Sequence, residues 1–269
     1  MISRDDIEAF AETDEQKDYW NIPKGMIYIF DVDGTLTPSR GMMDREFAHF
    51  FYKFVEENEV YIITGSDREK TLQQVPKEIY NLCIKVYQCS GNHVWQADRE
   101  LHRSDWTLPD THHKWLLGEL ADSGFYRKTG QHFDQRIGLV NFSIPGRKCN
   151  IEERAMYKQW DEHKKEREGI AHRFNERWYR QEWWDISADL VVATVAGETG
   201  IDITPHGYGK EQIVKNFDAT KVIYFGDKTE EGGNDFEIAR KLRDKGGRII
   251  EVNSWQDTYK CLQTMENSV

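Results

Sequence analysis

The sequence predicts an α/β protein whose parallel-sheet core is interrupted by an inserted α+β domain. Two short apolar runs, Met26–Phe30 and Val60–Ile63, flank a helical pattern at Arg45–Glu57, and a third run covers Lys221–Phe225. Short continuous apolar strands that alternate with helices are typical of a parallel sheet covered on both faces. Ligands of such sheets lie beyond the carboxyl ends of the strands, so the residues after each run are the candidates for chemistry.

The other core elements lie at the two ends of the chain. After the third run we predict a helix at Asp235–Arg243 and a final strand at Arg248–Val252. Residues 1–24 form a predicted acidic helical lead-in, to which we assign no chemistry.

The middle of the chain has a different pattern. Alternating segments at Ile137–Ile144 and Leu190–Ile203 surround one long charged helix, predicted at Ile151–Glu168. This pattern favours an α+β cap that acts as a lid over the core. The expected domains are a core of residues 1–105 and 205–269 and an inserted cap of residues 106–204.

The composition disfavours several classes of partner. The 269 residues carry a formal charge of −11, with a pI near 5.4, which argues against binding to nucleic acid or an anionic membrane. No apolar stretch approaches the length of a membrane span, and the acidic N-terminus lacks the apolar segment of a signal peptide. We therefore expect a cytoplasmic protein, and we interpret its four scattered cysteines as buried or incidental free thiols.

Two carboxylates follow the first apolar strand. Asp31 and Asp33 are separated by one residue and precede Gly34 and Thr35. In a loop that turns between them, Asp31 can attack phosphorus while Asp33 acts as general acid and base. Attack by a carboxylate creates an acyl-phosphate, which a second acceptor readily cleaves.

Phosphoryl transfer gathers negative charge on oxygen atoms, so such a site needs a metal, a cation and further donors. Thr64 or Ser66 can supply a hydroxyl after the second strand, and Lys210 can supply the positive charge. Carboxylate and carbonyl oxygens suit Mg²⁺. The candidate magnesium ligands are Asp31, Asp33 through its backbone carbonyl, Asp227 and Asp235.

The chain order of these groups resembles that of the haloacid dehalogenase superfamily. An Asp-x-Asp-Gly-Thr motif, a hydroxyl residue followed by glycine, a lysine in a glycine-rich turn and a Gly-Asp…Asn-Asp segment occur in the required order. The resemblance implies a haloacid dehalogenase-like Rossmannoid core with a parallel sheet plus an inserted α+β cap domain.

Longer segments are similar to eukaryotic-type phosphomannomutases. These segments are Phe30–Arg40, Ile63–Lys70, Gly138–Arg154 and Gly226–Asp235. The resemblance implies a phosphohexomutase that interconverts mannose 6-phosphate and mannose 1-phosphate, a step that supplies GDP-mannose. Its implied reaction passes through a phospho-aspartate and a hexose 1,6-bisphosphate activator, with a hexose phosphate as substrate.

A bisphosphorylated sugar needs a second phosphate site, which the resemblance assigns to arginines. By family spacing the candidates in the cap are Arg136, Arg147 and Arg154, and Arg40, after the Asp31 loop, matches another family position. In the sugar-contact loop, Asp202 matches a sugar-binding acid, whereas Gly200 replaces a serine. Thr64 stands where the family usually has glycine, which brings the site closer to the phosphatases of the superfamily.

Two other functions stay open at this point. A magnesium-dependent sugar-phosphate phosphatase would use the same residues with water as the acceptor. A non-catalytic sugar-phosphate sensor is the second alternative, and the intact set of Asp31, Asp33, Asp227 and Lys210 weighs against it. Family analogy also suggests a homodimer joined through the caps.

The aromatic run Trp178–Trp184 could stack on a carbohydrate, but its helical spacing favours the cap core or a dimer face. His112, His113 and His163 have no partners at the spacing of metal ligands, so we expect them at the surface.

Overall fold

The computed structural model describes residues 25–39, 41–178 and 190–266. The predicted N-terminal helix, Arg40 and most of the aromatic run lie outside these residues. Every helix within the described ranges is too short or too polar to cross a bilayer.

The described strands and helices alternate along much of the chain. The strands are β1 (Ile27–Phe30), β2 (Glu59–Ile63), β3 (Lys85–Gln88), β4 (His93–Gln96), β5 (Arg99–Arg103), β6 (Phe133–Arg136), β7 (Leu139–Ser143), β8 (Val191–Ala196), β9 (Gly200–Pro205), β10 (Val222–Gly226) and β11 (Arg248–Glu251). The α-helices are α1 (Arg45–Glu57), α2 (Arg68–Gln74), α3 (Lys77–Leu82), α4 (Asp110–Asp122), α5 (Ile151–Lys164), α6 (Glu166–Trp178), α7 (Phe236–Asp244) and α8 (Trp255–Glu266).

The chain divides into two compact units. One is Ser104–Tyr208, and the other comprises the described residues before and after it. The second of these units holds a sheet with the strand order β11-β10-β1-β2-β3-β4-β5. Strands β11 to β3 run parallel, and β4 and β5 continue the sheet as antiparallel strands. The predicted parallel core is confirmed, and helix α1 has the predicted bounds.

Successive strand residues point to opposite faces of this sheet, so its continuous apolar strands present apolar side chains on both faces. Both faces are covered by apolar packing. On one face Phe30 packs against Phe51 of α1 and Phe225 of β10, with ring centroids 5.1 and 4.7 Å away. On the other face Ile29 belongs to a cluster with Tyr224 and with Leu242 of α7. Both faces are occupied by apolar packing, so polar chemistry is confined to the loops at the strand ends.

The inserted unit contains an antiparallel sheet, in the order β6-β7-β9-β8. Helix α5 begins with the predicted capping box, in which the side chains of Asn150 and Glu153 bond each other's backbone N–H. The prediction of one helix at Ile151–Glu168 is wrong, because the chain turns at Lys165 with a φ of 53°. The backbone carbonyl of Asp161 caps α5, while its carboxylate accepts bonds from the backbone N–H and side chain of Arg167 in α6.

Two side-chain predictions have different outcomes. All four cysteines are buried and free, as predicted. The surface prediction for His112 is wrong: the side chain is 6% exposed and packs against Phe174 and Trp178. His112 lies one helical turn before the buried Leu116, so it shares the apolar face of α4.

Candidate functional site

The loop after β1 is built around one carbonyl. The oxygen of Val32 accepts bonds from the backbone N–H groups of Thr35, Leu36 and Thr37 at 2.9–3.2 Å. The N–H of Asp31 donates to the carbonyl oxygen of Phe225 in the neighbouring strand at 3.0 Å. This bond fixes Asp31 at the carboxyl end of β1.

Gly34 allows this loop to approach the loop after β10. Its φ of 88° is in the left-handed region, where a side chain is strained. A Cβ at this position would also collide with the carboxylate of Asp227. The glycine of the sequence motif is therefore required for the close approach of the two acidic loops.

Three carboxylates converge at the strand ends. Oxygen atoms of Asp31, Asp227 and Asp235 lie within 4.8 Å of one another. Among the described residues, no hydrogen-bond partner is present for the buried Oδ2 of Asp31 and Oδ1 of Asp227. Buried carboxylate oxygens without donors are costly, and a hard divalent cation would satisfy both. The donor set thus fits Mg²⁺.

Lys210 already supplies one positive charge to this cluster. Its Nζ donates to Oδ1 of Asp31 at 2.5 Å and to Oδ1 of Asp235 at 2.6 Å. Tyr224 of β10 donates its hydroxyl to the same oxygen of Asp235 at 2.6 Å. Sequence reasoning missed Tyr224, although strand alternation places it on the face opposite Phe225. Asp235 therefore holds both Lys210 and Tyr224 through Oδ1, while its Oδ2 lies 3.4 Å from the backbone nitrogen of Lys228.

Burial and charge shift the titration of these groups. Burial raises the pKa of Asp31 to about 7, with a further upward effect from Asp235 and an opposing one from Lys210. Burial also raises the pKa of Asp227. For Lys210 burial acts to lower the pKa, but Asp235 and Asp31 outweigh it and leave the pKa raised. The lysine therefore stays charged, and a further cation would stabilise the ionised form of the acids.

The Asp33 carboxylate is held by helix α2. Lys70 Nζ lies 2.9 Å from Oδ2 of Asp33, and Gln74 Nε2 lies 2.8 Å from Oδ1. Sequence reasoning missed Lys70 and Gln74. A lysine and a glutamine four residues apart, on the helix that follows the hydroxyl-bearing loop, are the signal that could have identified them.

The two hydroxyl candidates have different environments. Thr64 is 1% exposed, and its Oγ1 accepts a bond from the backbone N–H of Ser66 at 3.1 Å. Ser66 is partly exposed, and its Oγ accepts a bond from Lys70 at 2.8 Å. Thr64 therefore stabilises this loop, whereas Ser66 is linked to Asp33 through Lys70.

The inserted unit contains an arginine pair. Asp134 Oδ2 lies 2.9 Å from Nε of Arg136 and 3.3 Å from Nε of Arg147. Each arginine thus uses its Nε edge for Asp134, and no described residue accepts a bond from the terminal nitrogens of either. Those nitrogens can bind an anion.

A buried asparagine and a partly buried aspartate lie beside these arginines. Asn141 donates to Asp202 Oδ1 at 2.6 Å, and burial raises the pKa of Asp202 while Asn141, Arg136 and Arg147 act to lower it. A Cβ on Gly200 would collide with the Asn141 amide, so the glycine and this asparagine fit together. Sequence reasoning missed Asn141.

The other predicted arginines are less closely connected. Arg154 lies in the first turn of α5, and its Nη1 is 4.0 Å from Glu198 in the turn before Gly200. It does not share Asp134 with the arginine pair. Arg40 lies outside the described residues.

The fold resembles those of two kinds of solved phosphatase. It matches an IMP-nucleotidase of Plasmodium falciparum with a TM-score of 0.60 at 14% identity, over 93% of this chain and 70% of that chain. It matches a trehalose-6-phosphate phosphatase of Aspergillus fumigatus with a TM-score of 0.53 at 16% identity, over 94% and 96% of the two chains. These likenesses show that the chain has a haloacid dehalogenase-like fold.

Sequence comparison gives the family. A family model described as eukaryotic phosphomannomutase matches residues 47–268. The chain is 30% identical over 252 residues to a phosphomannomutase of Drosophila melanogaster, covering 88% of this chain and 94% of that protein. It is 28% identical over 247 residues to phosphomannomutase 1 of Homo sapiens, covering 87% and 90%. The chain belongs to the eukaryotic phosphomannomutase family.

Proposed function

We propose that this enzyme is a phosphohexomutase that interconverts mannose 6-phosphate and mannose 1-phosphate through a phospho-aspartate and a hexose 1,6-bisphosphate. The observation that carries the proposal is the arginine pair of Arg136 and Arg147 on Asp134. A mutase must bind a phosphate at each end of its sugar, whereas a phosphatase needs one site. The terminal guanidinium nitrogens of Arg136 and Arg147, which bond no acceptor within the described part of the chain, are suited to the second phosphate, and Asp202 and Asn141 to a sugar hydroxyl.

In the proposed reaction Asp31 attacks a phosphorus atom of the bisphosphate, and the phosphorus–oxygen bond to the sugar breaks. Asp33 gives a proton to the sugar oxygen that leaves. In the second half-reaction Asp33 takes the proton from the free hydroxyl of an incoming hexose monophosphate, which attacks the phospho-aspartate, breaks its phosphorus–oxygen bond, restores Asp31 and re-forms the bisphosphate. This bisphosphate must reorient before Asp31 attacks its other phosphate in the next cycle.

The other residues manage charge and position. Lys210 keeps a positive charge beside Asp31, and Ser66 offers a hydroxyl near Asp33. The residues that would hold Mg²⁺ are Asp31, Asp227, the backbone carbonyl of Asp33 and Asp235. When bound, the ion would neutralise charge on the phosphoryl oxygens. Arg136, Arg147 and Arg154, with Arg40, hold the distal phosphate in this proposal.

A coupled assay tests the function. Mannose 6-phosphate should form from mannose 1-phosphate, the rate should depend on added hexose 1,6-bisphosphate, and Asp31→Asn should abolish it. Steady phosphate release without isomerisation would contradict the mutase and support the phosphatase alternative, which the threonine at position 64 favours. Activity that survives Asp31→Asn would contradict a phospho-aspartate at this residue. Cytoplasmic location and a homodimer through the caps stay predictions, which cell fractionation and sedimentation would test.

A further inference from the structure

Both oxygens of the Asp33 carboxylate are bonded from one helix. Lys70 and Gln74 are separated by four positions, so they lie on the same face of α2. Lys70 is bonded to Oδ2 and Gln74 to Oδ1. A carboxylate bonded through both oxygens cannot rotate without breaking at least one bond.

Each of the two donors is itself fixed by another contact. Lys70 also donates to Ser66 Oγ at 2.8 Å. Gln74 is 3% exposed and also donates to Thr37 Oγ1 at 3.2 Å. Rotation of Gln74 would leave its buried amide without acceptors, which is costly. The orientation of Asp33 is thus set by a small network anchored in the loops after β1 and β2.

We propose that Lys70 and Gln74 are positioning residues that determine whether the phosphoryl group on Asp31 passes to a sugar hydroxyl or to water. This inference rests on the proposed function. A bound sugar presents its hydroxyl from one direction, so proton transfer to Asp33 requires one carboxylate orientation. Water approaches from several directions and tolerates a mobile base. A loosened Asp33 therefore slows transfer to sugar more than transfer to water.

The test compares isomerisation with phosphate release in the same reaction mixture. For Gln74→Leu and Lys70→Met we expect the kcat of isomerisation to fall by about 10- to 100-fold, because small misplacements of a reacting group have effects of this size. Phosphate release should fall much less, so that phosphate released per isomerisation rises at least about tenfold. The KM for the hexose phosphate should stay within about twofold, since neither residue holds the sugar in the proposal. Lys70→Arg should recover part of the isomerisation rate.

Gln73→Leu is the matched control, because Gln73 is the exposed neighbour of Gln74 on the same helix. It should leave both rates unchanged. If Gln74→Leu and Lys70→Met lower both rates in the same proportion, the inference is overturned. Lys70 is partly exposed, with 38% of its side chain accessible, so its variants test the inference even if Gln74→Leu does not fold. A wild-type enzyme that releases phosphate and never isomerises overturns the proposed function instead.

Discussion

Lys210 Nζ lies 2.5 Å from Oδ1 of Asp31, and each of these side chains is 3% exposed. The two residues are 179 positions apart in the chain. Because two carboxylates face one buried ammonium, the charge of Lys210 is needed for the stability of the site as well as for its chemistry.

Lys210→Met should therefore destabilise the protein and abolish activity. Removal of one partner from a buried ion pair costs about 3–5 kcal/mol. Denaturant unfolding measures the loss, with Lys215→Met as the control, since Lys215 is an exposed residue of the same 3-10 helix. Equal stability of the two variants would show that Lys210 does not compensate the buried acids.

The affinity for Mg²⁺ should rise with pH. Burial raises the pKa of Asp31 in the folded protein to about 7, above its ordinary value of 3.8. Below pH 7 a proton must leave before the cation binds, so affinity should rise by about tenfold per pH unit and level off above pH 7. Calorimetric titration of the metal-free protein between pH 5.5 and about 8.5 measures this dependence. An affinity that is constant over this range would contradict the raised pKa.

The raised pKa of Asp31 also determines how the stability of the metal-free protein changes with pH. The protonated Asp31 is favoured in the folded protein, so its stabilising contribution is complete below about pH 4 and is lost as the pH rises towards 7. Mg²⁺ should restore stability most strongly above pH 7. Thermal unfolding with and without Mg²⁺ measures this stabilisation at each pH. A larger stabilisation by the ion at pH 5 than at pH 8 would contradict the prediction.

Gly34→Ala should destabilise the protein by more than the cost of a left-handed backbone conformation, because the new Cβ would collide with Asp227. Gly25 has a similar φ of 84° with no atom near its missing Cβ, whereas a Cβ at Gly34 collides with Asp227. Gly25→Ala should cost about 1–2 kcal/mol through the left-handed conformation alone. Gly34→Ala should cost more and also weaken Mg²⁺ binding. If the two variants behave alike in unfolding and metal titration, the contact with Asp227 is unimportant.

Arg147→Met should weaken substrate binding with little effect on folding. Loss of a hydrogen bond to a charged group costs about 1.5–3 kcal/mol, which corresponds to an increase in KM of about 10- to 150-fold. Lys148→Met removes the same charge from the adjacent exposed position and serves as the control. Similar KM values for both variants would mean that overall charge, and no specific phosphate contact, accounts for the effect.

Gly200→Ser should destabilise the contact between β9 and Asn141 of β7. The new Cβ would collide with Asn141, which is the hydrogen-bond donor to Asp202. We expect a loss of about 1–3 kcal/mol from overpacking. Gly118→Ser, on an open surface of α4, is the control. A double-mutant cycle with Asn141→Ala should show coupling of about 0.5–3 kcal/mol, and strictly additive effects would refute the contact.

Local patterns were sufficient for the core. Continuous apolar runs and the DxDGT motif predicted β1 and the Asp31 loop, and helical periodicity predicted α1. These features depend on residues close together in the chain. The capping box of α5 was predicted for the same reason. The break at Lys165 was missed because it depends on the Asp161 carboxylate and its bonds to Arg167.

The sequence by itself therefore determined the fold class, the order of the acidic loops and the family of this enzyme. Only the tertiary structure decided that Lys210 bonds Asp31 and Asp235, that Lys70 and Gln74 orient Asp33, and that Asn141 occupies the space left by Gly200. The physical reason is that hydrogen bonds and ion pairs act over a few ångströms between residues far apart in the chain. The sequence pattern shows which residue types are present, but only the folded structure shows which of these residues are in contact.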